Sequence, residues 1–397
     1  MLQNKKFIIY VLLFIYFSCG WSGPNYNMIL IHHLFEVAED YNTTSNTGVS
    51  DVWGYTDETG IEYAIVGYCY GTFIYDVSSN PDSPTLVADI PGPSSGDYYF
   101  HRDYKTFGNY LYIVNEMSGA DQGMQIVDLS PLPNDAPIQI ETYTGINKSH
   151  NLWIDESSGY GFIEKSHPEN IHIVDLSSPA VPVHVGGFWN SDGQGCHDIY
   201  TENNMAYISE GSDFSIYDIS NISDPLLVTT IPSFGYAHNA WLNSAGTHLI
   251  TGEETVGMTL KIWDIQQIEN INMVGEYLGE NSLVHNVHVK GDFVFISHYT
   301  TGLKIIDIFN PTDPIEVAAY DTYPDDDNPG FYGCWGAYPF TLNNYVFASD
   351  IQYGLFVFEF DNIKAGWIYG NIAAWTTNGG VPVAGIELKS LLLHVLL

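Results

Sequence analysis

The segments "YAHNAWL", residues 236–242, and "LVHNVHV", residues 283–289, each set a histidine before an asparagine and an apolar alternation. The same opening position holds His101, His150, His197, His238 and His285, with Trp53 and Trp335 near it in two related segments. One apolar run later stand Glu116, Glu164, Glu210, Glu253, His298 and Asp350. Imidazole nitrogen with carboxylate oxygen is the donor set of zinc and its neighbours, and one ion needs only three or four such groups. The competing reading makes each histidine a hydrogen-bond donor to an adjacent backbone or acidic group, locking one repeat to the next. A ligand site usually breaks symmetry, whereas a device of the fold is copied in every unit. Repetition therefore favours the scaffold, placed where a site can also form.

Other candidates are weaker. "YPDDDNPGF" carries Asp325, Asp326 and Asp327 in a row, but calcium loops alternate their oxygen ligands because consecutive side chains point apart, so a solvated loop is expected. Tyr323, Trp335 and Tyr338 flank it as an aromatic platform for a sugar or peptide, although aromatic residues also simply pack sheets. Zinc or calcium is thus the cofactor class to test. There is no G-x-S-x-G elbow, H-E-x-x-H, P-loop or G-x-G-x-x-G after a strand, which argues only weakly against catalysis. Beyond Cys19, the cysteines Cys69, Cys196 and Cys334 match no zinc-knuckle or C-x-x-C spacing and read as buried thiols.

The elements that position these residues come from a repeat. Runs ending on an acidic residue, "TFIYDVS", "MQIVDLS", "IHIVDLS", "FSIYDIS", "LKIWDIQ", "LKIIDIF" and "LFVFEFD", anchor at Asp76, Asp128, Asp175, Asp218, Asp264, Asp307 and Glu359, 43 to 52 residues apart. Around each anchor lie four short strand-like runs, rich in Val, Ile, Tyr and Phe and separated by turn residues. An aspartate followed by an apolar residue and serine can accept from the amide two positions on and close the turn. A single four-stranded unit cannot bury both faces of its sheet, but seven around an axis can. The expected fold is an all-β, seven-bladed β-propeller of four-stranded blades over residues 26–361. "NMILIHHLFEVAED", residues 27–40, should complete the last blade and close the ring.

The run "DVWGYTDETGIEYAIVGYCYGTFIYDVSSNPDSP", the openings "HNLWIDESSGYGFI" and "AHNAWL", and "AAYDTYPDDDNPGFYGCWGAYPF" before "GLFVFEF" resemble the choice-of-anchor B family, built of LVIVD-type repeats. The resemblance implies an exported bacterial propeller at the cell surface or secreted, and implies no particular reaction or ligand. The N-terminus agrees: Lys5 and Lys6 precede an apolar run from Phe7 to Phe17, the form of a signal peptide over residues 1–22. "YFSCG" also has the outline of a lipobox with Cys19 as the lipidated residue, ordinary cleavage being the alternative. Residues 366–397, with "GWIYGNIAAWTTNGGVPVAGIELKS", look like the start of a carboxypeptidase-regulatory-like β-sandwich cut short.

Composition narrows the partners. The chain has 397 residues, 45% of them hydrophobic, and a net charge of -36. That field repels phosphate backbones and anionic bilayers, so nucleic acid is excluded and a membrane is reached only through a lipid anchor. An extracellular protein or glycan is the expected partner, bound by a non-enzymatic scaffold. The alternative is a metal-dependent hydrolase or lyase using the ring of histidines and carboxylates.

Overall fold

The structure, a computed structural model, describes residues 25–38, 48–80, 83–93, 101–119, 121–164, 169–189, 195–279 and 283–366, with the pairs 373–374 and 381–382. Its described residues are strands joined by turns, with one short 3-10 helix at Phe35–Ala38. The middle strands of each sheet are covered on both faces and read as near-continuous apolar runs, as in Tyr110–Asn115 and Phe293–Ser297. The outermost strands, such as Ile138–Tyr143, are largely exposed.

Six sheets of four or more strands form among the described residues. Five have four strands each, and the sixth, spanning residues 198–277, has seven. This departs from the expectation of seven separate sheets. The physical reason is the 17-residue strand Leu226–Leu242, whose first part pairs with Gly211–Asp218 and whose second part pairs with His248–Thr255. One strand thereby serves two of the sequence repeats, those anchored at Asp218 and Asp264.

The opening strands Val52–Thr56, Arg102–Phe107, Leu152–Asp155, Asp198–Glu202, Leu226–Leu242, Asn286–Lys290 and Cys334–Tyr338 touch one another in that order. The last also touches the first, so they form a closed cycle around an axis. The N-terminal strand Ile29–Leu34 pairs antiparallel with Gly354–Glu359 and becomes the outer strand of the final sheet. Both ends of the chain's described core are thus tied into one sheet, which covers an edge that would otherwise invite pairing.

Apolar side chains from neighbouring sheets interlock. Ile250 and Leu260 of one repeat pack with Val284, Val287 and Val294 of the next. Each fully buried side chain of this size contributes roughly 1.5–3 kcal/mol. A β-bulge sits just before the acidic anchor in six repeats, between Ile74 and Tyr75 in the first and between Ile305 and Ile306 in the last of them. The extra residue increases local twist. At the anchors, Asp76, Asp128, Asp175, Asp218, Asp264 and Asp307 each accept from the amide two residues on, at 2.7–3.1 Å. Cys69, Cys196 and Cys334 are buried thiols, and burial pushes the Cys334 thiol up, away from reactive thiolate.

Candidate functional site

Four of the opening segments present three groups in the same order towards the axis. In His150-Asn151-Leu152-Trp153 the pleat turns Leu152 into the sheet packing, 2% exposed, and leaves Asn151 and Trp153 on the other face. His197-Asp198-Ile199-Tyr200, His238-Asn239-Ala240-Trp241 and His285-Asn286-Val287-His288 repeat the order. The channel therefore has an imidazole layer, an amide and carboxylate layer, and an aromatic layer. At about 3.3 Å per residue the outer two lie about 10 Å apart.

The imidazole layer is a closed circle. Ring centroids lie 5.4 Å apart for His101–His150, 4.8 Å for His150–His197, 4.1 Å for His197–His238 and 4.6 Å for His238–His285. Trp335 closes it at 4.1 Å from His285 and 4.9 Å from His101. His197 Nδ1 lies 3.1 Å from the His238 carbonyl oxygen, and His285 Nδ1 lies 2.5 Å from that of Trp335. Both contacts link one repeat to the backbone of the next. Burial pushes His285 down to about 3, so its imidazole is neutral and donates through Nδ1.

The middle layer carries four further links between repeats. Asp103 Oδ2 accepts from the Leu152 amide at 2.7 Å, and Asn151 Nδ2 donates to the His197 carbonyl at 2.9 Å. Asn239 Nδ2 donates to Asp198 Oδ2 at 2.5 Å, while Asn239 Oδ1 accepts from the Val287 amide at 3.0 Å. Lys105 Nζ sits 2.8 Å from Asp103 Oδ1 as the buried counter-charge. Burial pushes the Asp198 carboxyl up to about 7.

The second-strand acids divide. Glu116 reaches the circle, 2.5 Å from His150 Nδ1 and 3.7 Å from His101 Nδ1. Burial raises its carboxyl, but hydrogen bonds and charge from these two histidines outweigh that and hold it well below the usual carboxylate range. Glu253 turns instead to Lys261 at 3.1 Å; the next residue, Glu254, lies 3.7 Å from His238 Nε2 and accepts from the Tyr299 hydroxyl at 2.5 Å. Glu164 is fully buried, and its carboxyl is pushed up by burial and by Asp198. Glu210 is buried at the bend before Gly211–Asp218. His298 bonds Thr301 at 2.7 Å and is pushed down to about 3 by burial. Asp350, pushed up to about 7 by burial, accepts from Thr322 at 2.7 Å and from the Gln352 and Tyr353 amides at 2.9 Å each. Two groups, His101–Glu116–His150 and His238–Glu254–His285, hold ligand atoms within 4.8 Å of one another. Glu254 escaped the sequence reading because a one-residue slip along a strand exchanges its faces.

Trp53 does not share the histidine position. It belongs to the opposite end, as its indole shows: Trp53 Nε1 donates to Thr106 at 3.2 Å just as Trp153 Nε1 donates to Thr201 at 3.0 Å. The buried Ser50, three residues before Trp53, stands in the register of the histidines. Nor do Tyr323, Trp335 and Tyr338 form one platform. Tyr323 stacks on Tyr332 at 6.1 Å, Trp335 lies in the imidazole circle, and Tyr338 meets Trp53 at 4.9 Å at the aromatic end. Asp325, Asp326 and Asp327 are exposed, and Asp326 only turns back on Asn328. Cys19 and the signal segment lie outside the described residues.

The aromatic end opens into a cavity of about 480 Å³ lined by Trp53, Trp153, Tyr200, Trp241, Tyr338 and Phe340, with Asp155, Glu156 and Glu202 also on its wall. Trp241 meets Tyr200 at 4.7 Å, Trp153 at 5.1 Å and Phe340 at 5.5 Å, so rings from several repeats converge. Lys105 Nζ lies 4.4 Å from the Trp53 ring centroid. Sequence alone offered one signal for this end: an aromatic three residues after the ring position in repeat after repeat.

Comparison with known proteins agrees with the architecture. The LVIVD repeat model matches residues 195–231 and 283–322. No curated protein matches the chain. Among solved structures, the crystal structure of the Myceliophteria thermophila Cps50 (Swd1) beta-propeller domain is similar with a TM-score of 0.56 at 11% identity, covering 80% of this chain and 98% of that one. The fold is that of a β-propeller carrying LVIVD repeats.

Proposed function

We propose that this chain is an exported, cell-surface or secreted propeller of seven four-stranded blades that binds a neutral glycan at the aromatic end of its channel without catalysing a reaction. The blade number is supported by the closed cycle of seven opening strands, the long strand Leu226–Leu242 being shared by two blades. Export rests on the leader over residues 1–22, with Cys19 as a lipid anchor, and on the resemblance to the choice-of-anchor B family. The propeller covers residues 26–361, and residues 366–397 begin a carboxypeptidase-regulatory-like module.

The single observation that carries the binding reading is the cavity of about 480 Å³ walled by converging aromatic rings. Sugar rings stack their C–H faces on such surfaces, and Asp155, Glu156, Glu202 and Asn203 offer hydroxyl partners at the wall. A net charge of -36 selects against an anionic glycan. Titration with cellohexaose, xylohexaose and laminarihexaose, followed by tryptophan fluorescence and calorimetry, tests this. Saturable binding of one of them, lost in Trp241→Ala, is expected; no binding of any neutral oligosaccharide while a peptide library binds would reject it.

A second reading, a metal at the imidazole end serving a hydrolase or lyase, is favoured by the groups His101–Glu116–His150 and His238–Glu254–His285. These nitrogen-rich sets fit zinc rather than calcium. Elemental analysis of undialysed protein decides it: stoichiometric zinc lost in His150→Ala supports the reading, and no metal removes it.

A further inference from the structure

A third group of nitrogen and oxygen ligands lies on the outer strands of the third sheet, away from its channel strand. His172 is in the strand Ile171–Asp175, and His184 is in its partner Val183–Phe188. In the ladder His172 faces Gly187 and His184 faces Val174, so the two side chains are diagonal neighbours. Their rings stack with centroids 4.2 Å apart and planes 7° from parallel. Both converge on one carboxylate oxygen: His172 Nδ1 is 2.6 Å and His184 Nε2 is 3.2 Å from Glu169 Oε1. Gly187 makes the space, since a Cβ there would stand 2.4 Å from Glu169 Cγ and 2.7 Å from its Oε1. From the preceding sheet, the Tyr143 hydroxyl lies 2.8 Å from His172 Nε2.

We infer that Glu169, His172 and His184 form a binding site for zinc or a neighbouring divalent transition metal. Two imidazole nitrogens and one carboxylate oxygen suit these ions and not calcium or magnesium. With bonds near 2.0–2.1 Å, adjacent ligand atoms of a tetrahedral ion stand about 3.3 Å apart. The His184–Glu169 pair already has a separation of 3.2 Å, and the His172 contact opens by under about 1 Å to match. Tyr143 holds the ring nitrogen that ligation leaves over, fixing ring orientation. The His172 side chain is 3% exposed and that of His184 50%, so the ion's remaining position faces solvent.

The test uses the full chain, stripped with a chelator and titrated with Zn²⁺, with Co²⁺ as the spectroscopic probe. One equivalent should bind whose cobalt form shows the visible bands of a four-coordinate centre. His184→Ala and Glu169→Gln should each weaken that equivalent at least tenfold without shifting the metal-free melting temperature. Gly187→Ala, by displacing Glu169, should weaken it too, and His150→Ala should leave it intact. Zinc binding that is absent, or that survives both His184→Ala and Glu169→Gln, overturns the inference, as does binding lost only in His150→Ala.

Discussion

The two ends of the channel are built from the same strands, three residues apart in most repeats and four between His101 and Lys105, and they differ in what their side chains border. At the imidazole end five of the opening positions carry histidine, and His197 and His285 bond to the backbone of the next repeat. At the aromatic end the corresponding residues are Trp53, Lys105, Trp153, Tyr200, Trp241, His288 and Tyr338, and their faces border a cavity. Uniform residues that point into neighbouring backbones serve the ring itself. Varied residues around open space can discriminate one ligand from another. Similar strands thus yield a scaffold at one end and a recognition surface at the other, because only the aromatic end leaves ring faces bordering an open cavity.

The largest effect should come from the layer between them. Asn239→Ala removes two links at once and leaves the Asp198 carboxyl and the Val287 amide buried without Asn239. Denaturant unfolding should show a loss of about 2–4 kcal/mol. His285→Ala comes next, at about 1–3 kcal/mol, since it opens the circle and frees the Trp335 carbonyl. Equal stability of either variant with wild type would erase the distinction between the ends.

A subtler effect depends on pH. His288 is held down to about 3 by burial, against an ordinary value of 6.5, and its Nδ1 has no hydrogen bond. As pH falls from 6.5 towards 3, the unfolded chain takes up a proton that the folded chain refuses, so the folded state loses stability. His288→Phe abolishes that loss. Melting temperatures of variant minus wild type should therefore grow on acidification through this window, and a constant difference would show that the histidine is not buried neutral. The smallest effect is expected at Asp326→Asn, in the exposed acidic loop, where unfolding stability should stay within about 0.5 kcal/mol of wild type with or without calcium.

Much of this architecture was legible because it is repeated. The acidic anchors, the four runs around each and the return of histidine all follow from period-2 strands separated by turn residues, and the anchors close their turns as their chemistry implies. What escaped were matters of register and of encounter between distant segments. Trp53 and Glu253 each fell on the wrong side of a short offset, because alternation makes neighbouring residues serve different faces. The cavity is assembled by side chains from repeats as far apart as Trp53 and Tyr338, which no local pattern joins. Among the described residues the Glu169 cluster occurs in one repeat and depends on the missing Cβ of Gly187, so repetition could not disclose it. The fusion of two repeats through Leu226–Leu242 required a continuous strand where turn chemistry had been expected.

One comparison reaches the division of labour most directly: calorimetric binding of the oligosaccharide selected above, measured on wild type, Trp241→Ala and His238→Ala alongside their melting. Affinity reduced at least tenfold in Trp241→Ala, with His238→Ala binding normally but melting lower, is the expected result. Normal binding by Trp241→Ala together with lost binding and unchanged melting in His238→Ala would contradict it.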